Sequence, residues 1–372
     1  MNGTESKTAR AMVIEAYNAP LAERKIRIPE LREGEALVRL LAAGVCGSDV
    51  HMWKGEDPRN RLPMIPGHEG VGMIEDMASP LSDIAGKPLL PGARVIWDRG
   101  MPCGECWYCA VLKEPSLCPN RWAYGIAKPC SEFPYLNGCY ASHIILRRNT
   151  KILSLDGMPD VDPAVLVSAS CSGATTAKAF DLARPNVGDT IVIQGPGPLG
   201  VYGTDLARLS GAANIVVIGA TPSRMEMCRA MGATLLLDRK ATTREERRQA
   251  VLDLTGGRGA DLVLETAGTR DGIDEGLDLV RRGGTYLAPG VAVPIGPVEV
   301  DWFRQVSSRN IRIQGSWVSD TTHLVRAVSL VTARPDEYGR LVTHRFPLTR
   351  AMEALRTVQR HESVKTVLVS PV

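Results

Sequence analysis

Residues 190–200 read TIVIQGPGPLG, and the architecture turns on this stretch. Its first five residues are rich in β-branched apolar side chains, the composition of a strand covered on both faces. Gly195-Pro196-Gly197-Pro198-Leu199-Gly200 follows, a G-x-G-x-x-G match that gains meaning from the strand before it and the helical pattern after it. Gly195 permits the tight turn, Gly197 lets the backbone approach a pyrophosphate, and Gly200 lets helix and strand pack closely. Pro198 and Leu199 open the helix, whose N-terminal N–H groups and positive dipole end attract phosphate. A dinucleotide site is the expectation.

Working outward, residues 166–309 alternate apolar runs with helical segments. The runs lie at 190–194, 215–218, 235–237, 261–265 and 285–288, the helices at 199–210, 223–231, 243–254 and 273–280. Such alternation means βαβ units and a doubly wound parallel sheet, an α/β fold. Cofactor choice turns on the end of the second strand, where an acidic side chain would bond the adenine ribose of NAD. Gly219 stands there, with Thr221, Ser223 and Arg224 close behind, so NAD(P) is expected with a slight lean to NADP. Arg224 equally suits an ordinary helix surface, and a ribose held by backbone alone stays open.

On either side the texture changes. Residues 1–165 are rich in Gly and Pro, with short apolar runs at 36–41, 70–74 and 94–97, the mark of an irregular β domain. Residues 310–372, with a helix-like stretch at 322–330 and an apolar run at 366–370, are expected to rejoin that first domain. A chain of 372 residues accommodates two domains. Lys and Arg number 44 against 41 Asp and Glu and are scattered, so nucleic acid is not an expected partner. The mixed-sign run at 244–248 reads as a solvated helix face. MNGTESKTAR at the start lacks the apolar segment of a secretory leader, and no stretch approaches the roughly 18 apolar residues that span a bilayer, so the expected location is cytoplasmic, without a membrane partner.

Nine cysteines are too few for a disulfide scaffold in so long a chain, and Cys103, Cys106, Cys109 and Cys118 crowd into one loop. Four thiolates at that spacing suit a closed tetrahedral structural zinc, with an iron–sulfur cluster as the rival. A second set is dispersed: Cys46 in Gly44-Val45-Cys46-Gly47-Ser48-Asp49-Val50-His51, then Gly67-His68-Glu69-Gly70-Val71-Gly72, then Cys171 in Cys171-Ser172-Gly173-Ala174-Thr175-Thr176. Taken singly, each of these side chains favours a plainer reading, a cysteine as a small core hydrophobe and a histidine as a hydrogen-bonded surface residue.

Taken in order, these segments, the four-cysteine loop, the glycine motif and Lys365 resemble the zinc-dependent alcohol dehydrogenases of the medium-chain dehydrogenase/reductase superfamily, over nearly the whole chain. The resemblance implies a GroES-like catalytic domain over 1–165, completed by 310–372, and a Rossmann NAD(P)-binding domain over 166–309. It implies a catalytic zinc on Cys46, His68 and Cys171, Glu69 near the metal, Asp49 behind the ligand histidine, a proton relay through Ser48 and His51, and Lys365 among the cofactor-binding residues. It further implies a small-molecule alcohol or carbonyl substrate and a homo-oligomer, dimer or tetramer. An open-sided zinc is a Lewis acid that eases loss of a hydroxyl proton, after which hydride leaves readily.

Two departures stand out. The last gap in the cysteine loop is eight residues where seven is usual for the family, with Cys130 and Cys139 nearby as possible substitutes for Cys118. The stretch before that loop reads Trp97-Asp98-Arg99-Gly100-Met101-Pro102, where better-known relatives lend an aromatic side chain to the substrate. Arg99 either meets an anionic or strongly polar substrate or pairs with a neighbouring carboxylate. The expected activity is hydride transfer between NAD(P) and a secondary alcohol, polyol or polar hydroxy compound. The alternatives are a zinc-free quinone or enoyl reductase and a non-catalytic zinc-binding scaffold.

Overall fold

A computed structural model describes residues 7–126 and 128–370. The chain forms two compact units, one reaching through Cys171 and resuming at Asp320, the other spanning Ser172–Ser319.

The second unit carries six strands, all parallel, in the spatial order Leu235–Asp238, Asn214–Gly219, Thr190–Gln194, Ala260–Glu265, Val280–Ala288, Arg312–Gly315. Numbered along the chain this is 3-2-1-4-5-6, the doubly wound order with a switch point beside the first strand. Thr190–Gln194 is buried at every position, as its β-branched run requires. The helices Pro198–Leu209, Pro222–Ala230, Arg244–Leu254 and Arg270–Leu279 match the expected segments. Thr243 caps the third: its hydroxyl accepts from the Glu246 N–H, and Glu246 accepts from the Thr243 N–H at 2.7 Å.

Three features differ from the sequence reading. Arg312–Gly315 adds an edge strand, which carries the unit beyond the expected limit at 309. Ser172–Ala183 is a helix with no periodic signature, because most of its residues from Ser172 to Phe180 are buried on all sides. The run at 244–248 is not wholly solvated: Arg247 is buried and forks onto Glu275 at 2.6 and 2.9 Å.

In the first unit a seven-stranded sheet is centred on Ala36–Val45, which pairs antiparallel with Gly70–Met77, with Lys365–Val369 and with His143–Leu146. Arg94–Trp97 and Ile152–Ser154 extend one side. The C-terminal segment is part of the first unit, joined to it through Lys365–Val369. Its helix Thr321–Ala333 covers the stretch read at 322–330.

Candidate active site

Three strand ends assemble a buried cluster. Ala43 lies opposite Gly70 and Val45 opposite Thr366, so continuing the ladders sets Cys46 beside Lys365. The Gly44 N–H donates to the Glu69 carbonyl at 3.0 Å, which holds the His68–Glu69 turn against the same strand. Cys171 comes from a distant segment, directly after the 3-10 turn Val167–Ser170. Donor atoms of Cys46, His68, Glu69 and Cys171 all lie within 4.8 Å of one another. Gly44 is dictated by this convergence, since a Cβ there would stand 2.1 Å from Glu69 Oε2.

Asp49 sits in the first turn of the helix Gly47–Lys54. Its Oδ2 accepts the Cys46 N–H at 2.8 Å and the Tyr140 hydroxyl at 3.1 Å, and its Oδ1 lies 3.4 Å from His68 Nδ1. With Nδ1 facing a carboxylate, Nε2 is the ring nitrogen left for a metal. Lys365, which the resemblance grouped with the cofactor, is buried with Nζ 2.6 Å from Glu69 Oε2. Arg99 is buried too, and its Nη1 donates to Cys171 Sγ. Its near neighbour Asp98 accepts the Gly100 N–H and the Thr321 hydroxyl, each at 3.0 Å, with Arg121 at 3.7 Å.

Charge in this cluster calls for a cation. With Cys46, Cys171, Asp49 and Glu69 ionised and Lys365 and Arg99 protonated, negative groups exceed positive ones by two while His68 stays neutral. The protein's own groups do not sustain that state. Hydrogen bonding from Cys171 holds Cys46 well below the ordinary thiol range, and the same bond, with burial, pushes Cys171 well above it. Burial raises Glu69 despite Lys365. Burial also opposes the His68 cation, yet Asp49 and Cys46 together raise the imidazole to about 9. A divalent ion replaces those protons, and two sulfurs, an imidazole nitrogen and a carboxylate oxygen are a donor set that suits zinc.

Ser48 and His51 lie one helical turn apart. Ser48 Oγ is 3.8 Å from Cys46 Sγ, whereas His51 reaches toward solvent with Nδ1 2.5 Å from Glu56 Oε2. That bond lowers Glu56 below the usual carboxylate range.

The loop holding Cys103, Cys106, Cys109 and Cys118 forms a second cluster, also within 4.8 Å throughout. Sulfur separations of 3.5, 3.8 and 3.5 Å join Cys109 to Cys106, Cys106 to Cys118 and Cys118 to Cys103. A tetrahedron with zinc–sulfur bonds of about 2.3 Å has edges of about 3.8 Å, so the spacing fits one ion and is too tight for a multi-iron cluster. Backbone N–H groups of Cys106 and Glu105 bring Cys103 down to about 6. Cys118, not Cys130 or Cys139, completes the set; those two are buried in the apolar core.

In the second unit, Gly195 adopts φ +97°, and a Cβ on Gly200 would stand 2.0 Å from the Gly195 carbonyl oxygen. Gly197 caps the helix that Pro198 opens, Leu199 follows in its first turn, and a Cβ on Gly197 would meet open space, as close ligand approach requires. The sequence reading missed Thr266, whose hydroxyl bonds the carbonyls of Gln194 and Gly195 at 2.8 and 2.7 Å and clamps the turn. Gly219 has a packing reason as well, since a Cβ there would meet Pro196 Cγ at 2.5 Å. Arg224 follows on the helix Pro222–Ala230, half-buried, and desolvation lowers its pKa. Also missed were Tyr140 behind Asp49 and Glu56 behind His51. Nothing in local sequence pattern marks either, because each acts on a residue outside its own periodic segment.

Known proteins agree with this layout. Residues 32–156 match the alcohol dehydrogenase GroES-like domain, and residues 198–333 match the zinc-binding dehydrogenase family. The chain is 33% identical to the 5-exo-hydroxycamphor dehydrogenase of Pseudomonas putida, covering 97% of this chain and 99% of that protein. An alcohol dehydrogenase structure from Thermotoga maritima superposes with a TM-score of 0.93 at 45% identity, covering 98% of this chain and all of the other. A Sinorhizobium meliloti structure described as a zinc-binding dehydrogenase bound to NADP gives a TM-score of 0.85 at 26% identity, covering 98% and 99% of the two chains. The chain belongs to the zinc-binding alcohol dehydrogenase family of the medium-chain dehydrogenase/reductase superfamily, and it is an oxidoreductase.

Proposed function

We propose that the protein interconverts a secondary alcohol and its ketone with NAD(P) as hydride partner, holding one catalytic and one structural zinc per chain. The observation that carries this reading is the buried meeting of Cys46, His68, Glu69 and Cys171, two positive charges short of neutrality. A zinc-free reductase has no use for that donor set, and Ser48, Asp49 and His51 beside it, with the intact glycine loop at Gly195–Gly200, argue against a non-catalytic zinc-binding scaffold. When bound, the zinc supplies Lewis acidity, which makes an alcohol hydroxyl easier to deprotonate. Cys46, His68 and Cys171 would hold it, with Glu69 as a further carboxylate donor beside them. Asp49 keeps the His68 ring turned so that Nε2 ligates. Ser48 takes the hydroxyl proton and His51, with one edge in solvent and Nδ1 on Glu56, releases it.

Gly195, Gly197 and Gly200 shape the dinucleotide loop, and Gly219, which offers no carboxylate to repel a 2'-phosphate, leans the site slightly toward NADP, with Arg224 close behind. The hydroxycamphor relative supports alicyclic secondary alcohols as the first substrates to test, ahead of polyols and anionic hydroxy compounds. Nine cysteines, none in a disulfide, suit the reducing cytoplasm in which we place the enzyme. Among the described residues no helix is long and apolar enough to cross a membrane.

Metal analysis combined with an alcohol panel followed by NADH and NADPH absorbance tests the reading. About two zincs per chain, with NADPH formed fastest from alicyclic secondary alcohols, is the expected result. A metal-free protein that reduces quinones or enones instead would overturn it.

A further inference from the structure

Among the described residues, Arg99 is a buried cation of the cluster that bonds a sulfur. We propose that Arg99 is a positioning residue for the metal ligand Cys171: its guanidinium fixes the sulfur in its ligating orientation and draws charge from it, which sharpens the Lewis acidity of the site. The inference rests on the reading that Cys171 is a zinc ligand.

The geometry comes first. Arg99 lies between the strands Arg94–Trp97 and Gly100–Met101, is only 6% exposed, and donates through Nη1 to Cys171 Sγ. The bond joins segments 72 residues apart. Adjacent Asp98 accepts from Gly100 and Thr321, with Arg121 close to one of its oxygens, and Cys171 acts on the guanidinium more strongly than Asp98 does. Burial opposes the Arg99 charge, yet Cys171, then Cys46 and Glu69, tighten its hold on its proton.

Charge balance gives the second argument. Lys365 answers Glu69 at 2.6 Å, and Arg99 answers a thiolate. A divalent ion among Cys46, Cys171, Glu69 and Asp49 is neutralised only when both bases are counted. Without Arg99 the loaded centre keeps a net negative charge in a dry site, and the sulfur donates more fully to the metal. An N–H···S bond to a ligand thiolate does the reverse. The bond to Cys171 is a contact that neither expectation for Arg99, a substrate contact or a carboxylate pair, includes.

The test uses the whole enzyme reconstituted with cobalt(II), whose thiolate-to-metal charge-transfer absorption reports sulfur donation directly. Subtracting the spectrum of Cys171→Ser isolates the Cys171 band from that of the four-cysteine loop. In Arg99→Met this band should move to longer wavelength, and in Arg99→Lys, which keeps charge but loses the fork, it should move less. Alongside, kcat/KM of the zinc enzyme should fall about 10- to 100-fold in Arg99→Met, equally for cyclohexanol and for the anionic 3-hydroxybutyrate. A band that stays put at full metal content overturns the inference, as does a loss confined to KM for the anionic alcohol, which would put the guanidinium on substrate. If Arg99→Met does not fold, Arg99→Lys and Arg99→Gln carry the same measurement. No Cys171-dependent band in the unaltered enzyme would instead defeat the zinc reading on which the inference stands.

Discussion

The four-cysteine loop and the Cys46–His68–Cys171 cluster offer a metal similar donors, but the chain builds them in opposite ways. The loop gathers its sulfurs from sixteen consecutive residues, Cys103 to Cys118, and steadies them with nearby backbone N–H groups. It has almost no core of its own: the short helix Trp107–Ala110 buries none of its residues, and Trp107 and Val111 are 57% and 62% exposed. A segment that cannot bury apolar surface depends on its metal for shape. The other cluster is framed by strands that fold around their own apolar core, and Asp49, Tyr140, Lys365 and Arg99 brace its ligands from behind. On the proposed reading the protein makes the site there, whereas in the loop a metal would make the fold. One centre should therefore be separable from stability and the other from chemistry.

The strongest challenge to that division is His68→Ala. It should remove one zinc per chain and lower kcat by about three orders of magnitude or more, while the thermal midpoint hardly moves. Co-loss of stability and turnover, seen by calorimetry beside steady-state kinetics, would erase the contrast. Asp49→Asn probes the bracing. Chelator competition should show metal affinity at the buried centre, or activity, reduced about 10- to 100-fold with the loop's zinc untouched; equal weakening at both centres would mean the brace is not local. Smallest in catalytic terms is Cys106→Ser. The thermal midpoint should drop on the order of 5 °C, yet kcat per folded molecule should change by less than about twofold. A large fall in kcat at unchanged midpoint would reverse the assignment of the two centres.

Features legible in the sequence share one property, that their residues are close in the chain. The glycine turn, the four-cysteine spacing and the strand-length apolar runs each encode their geometry within one local segment, and their physical demands are local too: a turn without Cβ atoms, four thiolates around one ion, a strand covered on both faces. The proposed ligands Cys46, His68 and Cys171 were legible only through family resemblance, since a single cysteine or histidine carries no spacing.

What tertiary structure alone decided is who faces whom. Lys365 lies on Glu69 because Lys365–Val369 pairs antiparallel with Ala36–Val45, and Gly44 is bare because Glu69 crosses it. Tyr140 reaches Asp49 across 91 residues, and Arg99 reaches Cys171 across 72. Periodicity states which face of a strand is apolar but not which strand ends will meet, so the chain's own order determined the fold and the donor types, and only sheet register determined the charges set around them.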